Sequence, residues 1–356
     1  MVGCVIMKVD WVSEWFSGMR ECGENISIIY GRQKKNIMDE TPYWYELPHD
    51  NFDGISGLAH LLRTQHCAVN ELPMLRNDKY TFLRALRGLL NVIPTLGIRK
   101  QFWLCDFNWE YEPSLRTVEK RLAWNIFSED ETRKVIALAK ASDVTLNTYL
   151  LFHLDAAVAQ QLTGISKNRL WMIPVNLRGV IKRDPEVAPK MSYLGVDLTS
   201  RISLVQLQSK ITRLKKNCFH WGTWTLFNSL FLLGKAGIRK DILDRKKKHH
   251  GWTGTFSNLG NWEVANSDNW IFCPTVSSVH PIGAGCITMN GRTAIAVQLH
   301  EALNADLTTT QLIIDLWKNS CLSLTATQAH VTLSKTDIES NKNIPSASIG
   351  EVRTTQ

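Results

Sequence analysis

His49 stands four residues before Asp53, with Gly54 next, in the stretch His49-Asp50-Asn51-Phe52-Asp53-Gly54. A neutral imidazole can take the proton of a hydroxyl or amine as that group attacks a thioester carbonyl. Such a base needs a strand end facing a cleft and a turn that fixes the ring. The preceding YWYELPH alternates with period two, which puts Tyr43, Tyr45, Leu47 and His49 on one face of a strand. Asp53 can either orient the ring or hold the loop through an arginine. Gly54 is read as permitting backbone angles that a side chain opposes. The bland alternative is a tight Asp53-Gly54 turn beside an idle histidine. With ten histidines in the chain, the spacing alone does not decide between them.

The elements around this stretch follow from periodicity. Residues 24–30 and 43–49 read as strands, and WVSEWFSGM before them as a short helix. Ile55, Leu58, Ala59 and Leu62 mark one face of a helix over 55–65. A second amphipathic helix over 79–98 stops near Pro94. Acidic and aromatic residues at 106–116 read as a linker or an extended crossing segment. Ser128 with Glu131 forms a capping box opening a helix over 127–144, and 146–162 is another. Residues 170–176 read as a buried strand interrupted by Pro174. Helices fit 202–217 and 223–246. Strands fit WTGTFSN, NWIFC, GAGCITM and TAIAVQL, with a closing helix over 306–321. Strands and helices mix without strict alternation, so the expected class is α+β.

The chain has 356 residues, enough for two lobes. The expected boundaries are an N-terminal lobe over 1–125, a C-terminal lobe over 126–333 and a polar tail over 334–356. The net charge of +8 favours an anionic partner. No zinc-finger spacing or RNP-type motif supports nucleic acid. The eight cysteines include no Cys-x-x-Cys pair, so no metal site is expected. The start, MVGCVIMKVDWVSEWF, lacks the pattern of a secretory signal, and the expected location is cytoplasmic. The run Arg245-Lys246-Lys247-Lys248 before His249 and His250 is either a solvated helix end or a contact for coenzyme A phosphates or a membrane surface. His153, on an apolar helix, reads as a core residue. Trp252, Trp262 and Trp270 read as core filling, with an acyl-tunnel wall as the sharper alternative.

Four segments, in order, resemble the CoA-dependent acyltransferase superfamily. That superfamily includes chloramphenicol acetyltransferase, condensation domains of peptide synthetases, wax ester synthases and alcohol acetyltransferases. HDNFDGISGLAHLL resembles its HHxxxDG segment. SEDETRKVIALAKASDVTLNTYLLFHLDAAVAQQL resembles a helix, turn and long helix. MIPVNLRG resembles its PVNLR strand, and GTFSNLG its SNxG strand. The likeness runs from about Tyr43 to Leu322.

The resemblance implies a two-lobed, chloramphenicol acetyltransferase-like α+β sandwich of mixed sheets and helices around a channel. His49 matches the catalytic base and Asp53 the aspartate beside it. Arg178 matches the arginine that pairs with that aspartate, where the residue pattern alone leaves a surface arginine open. Ser257 and Asn258 match the strand lining the channel. The implied reaction moves an acyl group from a CoA or carrier thioester to a hydroxyl or amine. Acyl-CoA is then a cosubstrate, and no cofactor is bound. An acyl carrier protein and a peripheral membrane surface are further partners. The rival readings are a carrier-dependent condensation enzyme and a degenerate member that only binds lipid or protein. Two departures stand out. Pro48 replaces the family's first histidine, and only 48 residues precede His49 where relatives have more. The first lobe is therefore expected to lack elements, as a compact variant or through a truncated start.

Overall fold

The computed structural model describes residues 10–34, 41–69, 72–75, 77–95, 102–108, 121–165, 167–182, 188–247, 251–265 and 267–323. The polar tail over 334–356 lies outside them, as do most of the linker at 106–116 and Lys248, His249 and His250. The class is α+β, as expected. Helix α1 (Trp11–Glu21) leads into strands β1 (Ser27–Gln33) and β2 (Tyr43–Pro48), then α2 (Gly54–Thr64) and α3 (Phe82–Val92). Next come β3 (Leu122–Ile126), α4 (Glu129–Ala141), α5 (Leu146–Val158), β4 (Arg169–Asn176) and β5 (Met191–Leu198). Helices α6 (Leu204–Lys216), α7 (Phe219–Asn228) and α8 (Gly234–Lys247) precede β6 (Gly254–Trp262), β7 (Asn269–Cys273), β8 (Ile282–Met289), β9 (Arg292–Leu299) and α9 (Leu307–Leu322).

Two sheets form. The first is antiparallel, in the order β2-β1-β7, so its third strand comes from the distant NWIFC segment. The second is mixed, in the order β3-β9-β8-β6-β4-β5, with parallel β4–β6 and β6–β8 pairs. Period-two alternation on β9 explains how it is covered. Ile295, Val297 and Leu299 pack with residues of α5 and α9 such as Leu150, Ile313 and Trp317. Ala294 and Ala296 face the other way, among Tyr30, Leu58, Leu62 and Trp270 of the first sheet and α2. Both faces of the strand are buried, so its sequence reads as nearly continuous apolar residues. A third cluster joins α1, α7 and α8 through Phe16, Trp221, Trp224 and Ile238.

Strands β3 and β5 are not among the elements expected from the sequence. The helix expected over 223–246 is two helices: α7 ends at Asn228, a tighter turn covers Ser229–Leu232, and α8 starts at Gly234, whose φ is +63°. Pro174 does not interrupt β4, which pairs with β5 along its whole length. Pairing of β4 to β6 stops after Trp171–Gly254 and Met172–Thr255. Proline is tolerated where a strand loses a neighbour, and the gap beyond Met172 becomes the cavity described next.

Candidate active site

The turn after β2 is built by local bonds. The His49 amide donates to Ile26 O at 3.2 Å, and the Phe52 amide returns to Pro48 O at 3.1 Å. The turn brings the Phe52 carbonyl back over the histidine, 2.8 Å from Nδ1. A carbonyl only accepts, so Nδ1 carries the proton. The neutral ring then keeps its lone pair on Nε2. Phe16 of α1 stacks on the ring, with centroids 3.9 Å apart and planes 18° from parallel. Burial pushes the His49 pKa down from 6.5, against the Phe52 hydrogen bond and nearby Asp53, which favour the charged form.

Asp53 caps α2. Its Oδ1 accepts from the amides of Ile55 at 3.1 Å and Ser56 at 3.0 Å, and the Ser56 hydroxyl accepts from the Asp53 amide, closing a capping box. Arg178 Nη2 donates to both carboxylate oxygens, at 2.8 and 2.7 Å. The Lys190 amide donates to Oδ2 at 2.9 Å. None of these bonds goes to the imidazole. Of the two roles open to Asp53 in the sequence, its bonds are those of the loop-holding one. Arg178 is buried, which sets aside the surface reading. Asn176 Oδ1 accepts from its amide at 3.0 Å.

Gly54 needs a correction. Its φ is not positive, so backbone freedom is not the reason for the glycine. A Cβ there would lie 2.7 Å from Leu259 Cδ2 and 3.0 Å from the Phe272 ring. The requirement is close approach of the α2 start to β6 and β7.

His49, Asp53, Gly54, Arg178, Ser257 and Asn258 all line one cavity. Its volume is about 120 Å³, where one water needs roughly 10–15 Å³. Alternate residues of the parted strands form one wall: Met172, Pro174 and Asn176 from β4, Thr255 and Ser257 from β6. Val12, Trp15, Phe16 and Met19 of α1 form another. Asn258 Oδ1 accepts from the Gly260 amide at 2.8 Å, so its Nδ2 is the end left to donate. Trp252, Trp262 and Trp270 are not among the lining residues. Trp262 and Trp270 are core, and Trp252 stacks on His280. His153 is buried, as a core residue should be.

Sequence reasoning missed the α1 wall, Tyr193 and His280. The alternation of Trp15-Phe16 with Val12 and Met19 signalled a buried helix face but not what it covers. His280 has no spacing signal at all. It sits at a tight turn before β8, and its Nε2 is buried with no hydrogen-bond partner among the described residues. Burial, with Arg245 adding repulsion, pushes its pKa down to about 3.

These buried neutral histidines make stability depend on pH. Below 6.5 the unfolded chain takes up protons that the folded His49 and His280 refuse. Stability is therefore present at neutral pH and lost as pH falls below 6.5. His280 alone accounts for about 2 kcal/mol between pH 6.5 and 5 at ~1.4 kcal/mol per pH unit. Urea unfolding at pH 7 and 5 should show this loss, and His280→Gln should shrink it. An identical pH slope in the variant would contradict the assignment.

No family model and no curated protein matches the chain. Solved structures similar to it include the epimerization domain from the third module of tyrocidine synthetase B, at 14% identity and a TM-score of 0.43, covering 82% of this chain and 70% of that one. The wax ester synthase/diacylglycerol acyltransferase from Marinobacter aquaeolei VT8 is 14% identical with a TM-score of 0.45, covering 83% and 68%. The trichothecene 15-O-acetyltransferase from Fusarium sporotrichioides is 12% identical with a TM-score of 0.45, covering 80% and 68%. One condensation domain, from the enacyloxin polyketide synthase, is covered over only 51% of its length. The likeness concerns the fold and is silent on substrate.

Proposed function

We propose that this chain is an acyltransferase that moves an acyl group from a CoA or carrier thioester to a hydroxyl or amine acceptor, with His49 as general base. The observation that carries the reading is the Nδ1–H bond to Phe52 O in a ring that lines the cavity. It fixes the tautomer whose Nε2 can accept the acceptor's proton, and burial keeps that nitrogen unprotonated near neutral pH. As the acceptor oxygen or nitrogen bonds to the thioester carbon, its proton passes to Nε2. The carbonyl oxygen gains charge, for which Asn258 Nδ2 is the candidate donor. Collapse expels the thiolate, which takes the proton from His49. Asp53 and Arg178 act as positioning residues that hold the turn. The cavity favours catalysis over the binding-only alternative.

The test is release of free thiol from acyl-CoA, with and without alcohol or amine acceptors. Acceptor-dependent release supports the reading. Its absence from acyl-CoA and from acyl-pantetheine thioesters alike, across short, medium and long acyl chains, overturns it. The acid limb of kcat/KM should fall below pH 6.5, because the His49 pKa is depressed. An acid limb above that value would point to a different base.

A further inference from the structure

Helix α3 is packed the wrong way round for a core-facing helix. Its small residues, Ala85, Gly88 and Val92, are the buried ones. Gly88 lies against α7 so closely that a Cβ would come within 2.3 Å of Cys218 O and of the Gly222 amide nitrogen. Its large apolar residues point outward. Phe82, Leu83, Leu86 and Leu90, with Ile93 in the following turn, are 44 to 78% exposed. At 3.6 residues per turn these five fall within an arc of about 100°. An amphipathic helix normally buries such a stripe.

The border of the stripe is basic. Arg87 is exposed and reaches Asn217 Oδ1 at 2.8 Å, which ties α3 to the end of α6. Lys215 and Lys216 precede Asn217 and are exposed, as is Lys79 before the helix. Helix α3 carries no acidic residue. The acidic residue beside it, Asp78, is engaged by Arg84, His220 and Trp221. The chain as a whole carries +8. A convex apolar stripe edged by flexible cations matches a surface that is apolar inside and anionic at its face. We infer that α3 docks this protein on an anionic lipid bilayer, with Phe82, Leu83, Leu86 and Leu90 in the acyl region and Arg87, Lys215 and Lys216 among the headgroups. The inference does not rest on acyl transfer. It would, however, set the cavity beside a reservoir of apolar substrates, because α7, which carries α3, lends Phe227 to the cavity wall.

The test is sedimentation of the full chain with vesicles of phosphatidylcholine alone and of phosphatidylcholine with phosphatidylserine. Binding to the anionic vesicles should be about tenfold tighter and weaken with salt. Leu86→Glu with Leu90→Glu should lose at least roughly tenfold on both vesicles. Lys215→Glu with Lys216→Glu should remove only the preference for phosphatidylserine. If the first pair does not fold, Phe82→Ser with Leu83→Ser should show the same loss. Absence of binding to anionic vesicles, or binding untouched by the stripe variants, overturns the inference. So does a vesicle-free dimer that the stripe variants dissociate, since a second copy would then cover the stripe. Thiol release from a short, soluble thioester is a separate readout. Its failure would sink the acyltransferase reading and leave vesicle binding standing.

Discussion

Replacing His49 with alanine should lower acceptor-dependent thiol release by about 100-fold or more while the protein stays folded. The size follows from the role. A positioned general base typically contributes 10²–10⁴-fold, and nothing else on β2 or its turn offers a neutral acceptor at this place. The ring also has a packing role against Phe16, so alanine alone mixes two effects. His49→Phe separates them, because a phenyl ring can keep the stack and cannot take a proton. Both variants should lose activity to a similar extent, with the phenylalanine variant the more stable. Circular dichroism and thermal unfolding check the fold, and a thiol-reactive dye checks turnover. Activity retained in His49→Phe would mean that the histidine only fills space, and the base would have to be sought elsewhere in the cavity. His280 would then be the next candidate, since its Nε2 has no partner among the described residues.

The motif was legible in the sequence because its chemistry is local. His49, Asp53, Gly54 and the apolar face of the helix after them lie within one short stretch, whereas the alternation expected over 43–49 is not seen, because β2 ends at Pro48 and its burial does not alternate. Long-range partners were not legible by the same reasoning. Arg178 lies 125 residues from Asp53, and only the resemblance brought the two together. The wall made by α1 was likewise out of reach. Helical periodicity shows that Val12, Phe16 and Met19 face something, not that they face His49. Strand β5 was not legible either: its buried Ser192, Leu194, Val196 and Leu198 alternate with half-buried Met191, Tyr193, Gly195 and Asp197, two of which are themselves apolar. The cavity itself comes from β4 and β6 parting after two paired residues, which no single segment encodes. The break between α7 and α8 falls where the apolar run over 230–233 gives way to Gly234 and Lys235, a change that helical periodicity alone does not read as a stop.

Cutting either side chain of the Asp53–Arg178 pair should unfold the site more than any surface change could. Both groups are almost completely buried, and the carboxylate already takes the Ile55, Ser56 and Lys190 amides. Removing one partner strands a charge, which costs about 3–5 kcal/mol in such settings. Asp53→Ala should be the worse of the two, because it also removes the cap of α2, about 1 kcal/mol more. Arg178→Ala leaves the cap but frees the turn after β4, whose Asn176 also bonds Arg178. The double variant strands neither charge, so its loss should fall well short of the sum. Urea unfolding of the two singles and the double measures this coupling, with an expected shortfall of about 1–3 kcal/mol. Turnover adds a second readout. Because Asp53 favours the charged imidazole, losing Arg178 leaves that carboxylate unscreened, and the Arg178→Ala enzyme should show its acid limb moved up in pH as kcat drops. An unmoved limb with a lower kcat would mean that the pair acts on His49 only by holding the turn. Strictly additive stabilities would mean that the two residues do not act as a unit, and the loop-holding role of Asp53 would fall.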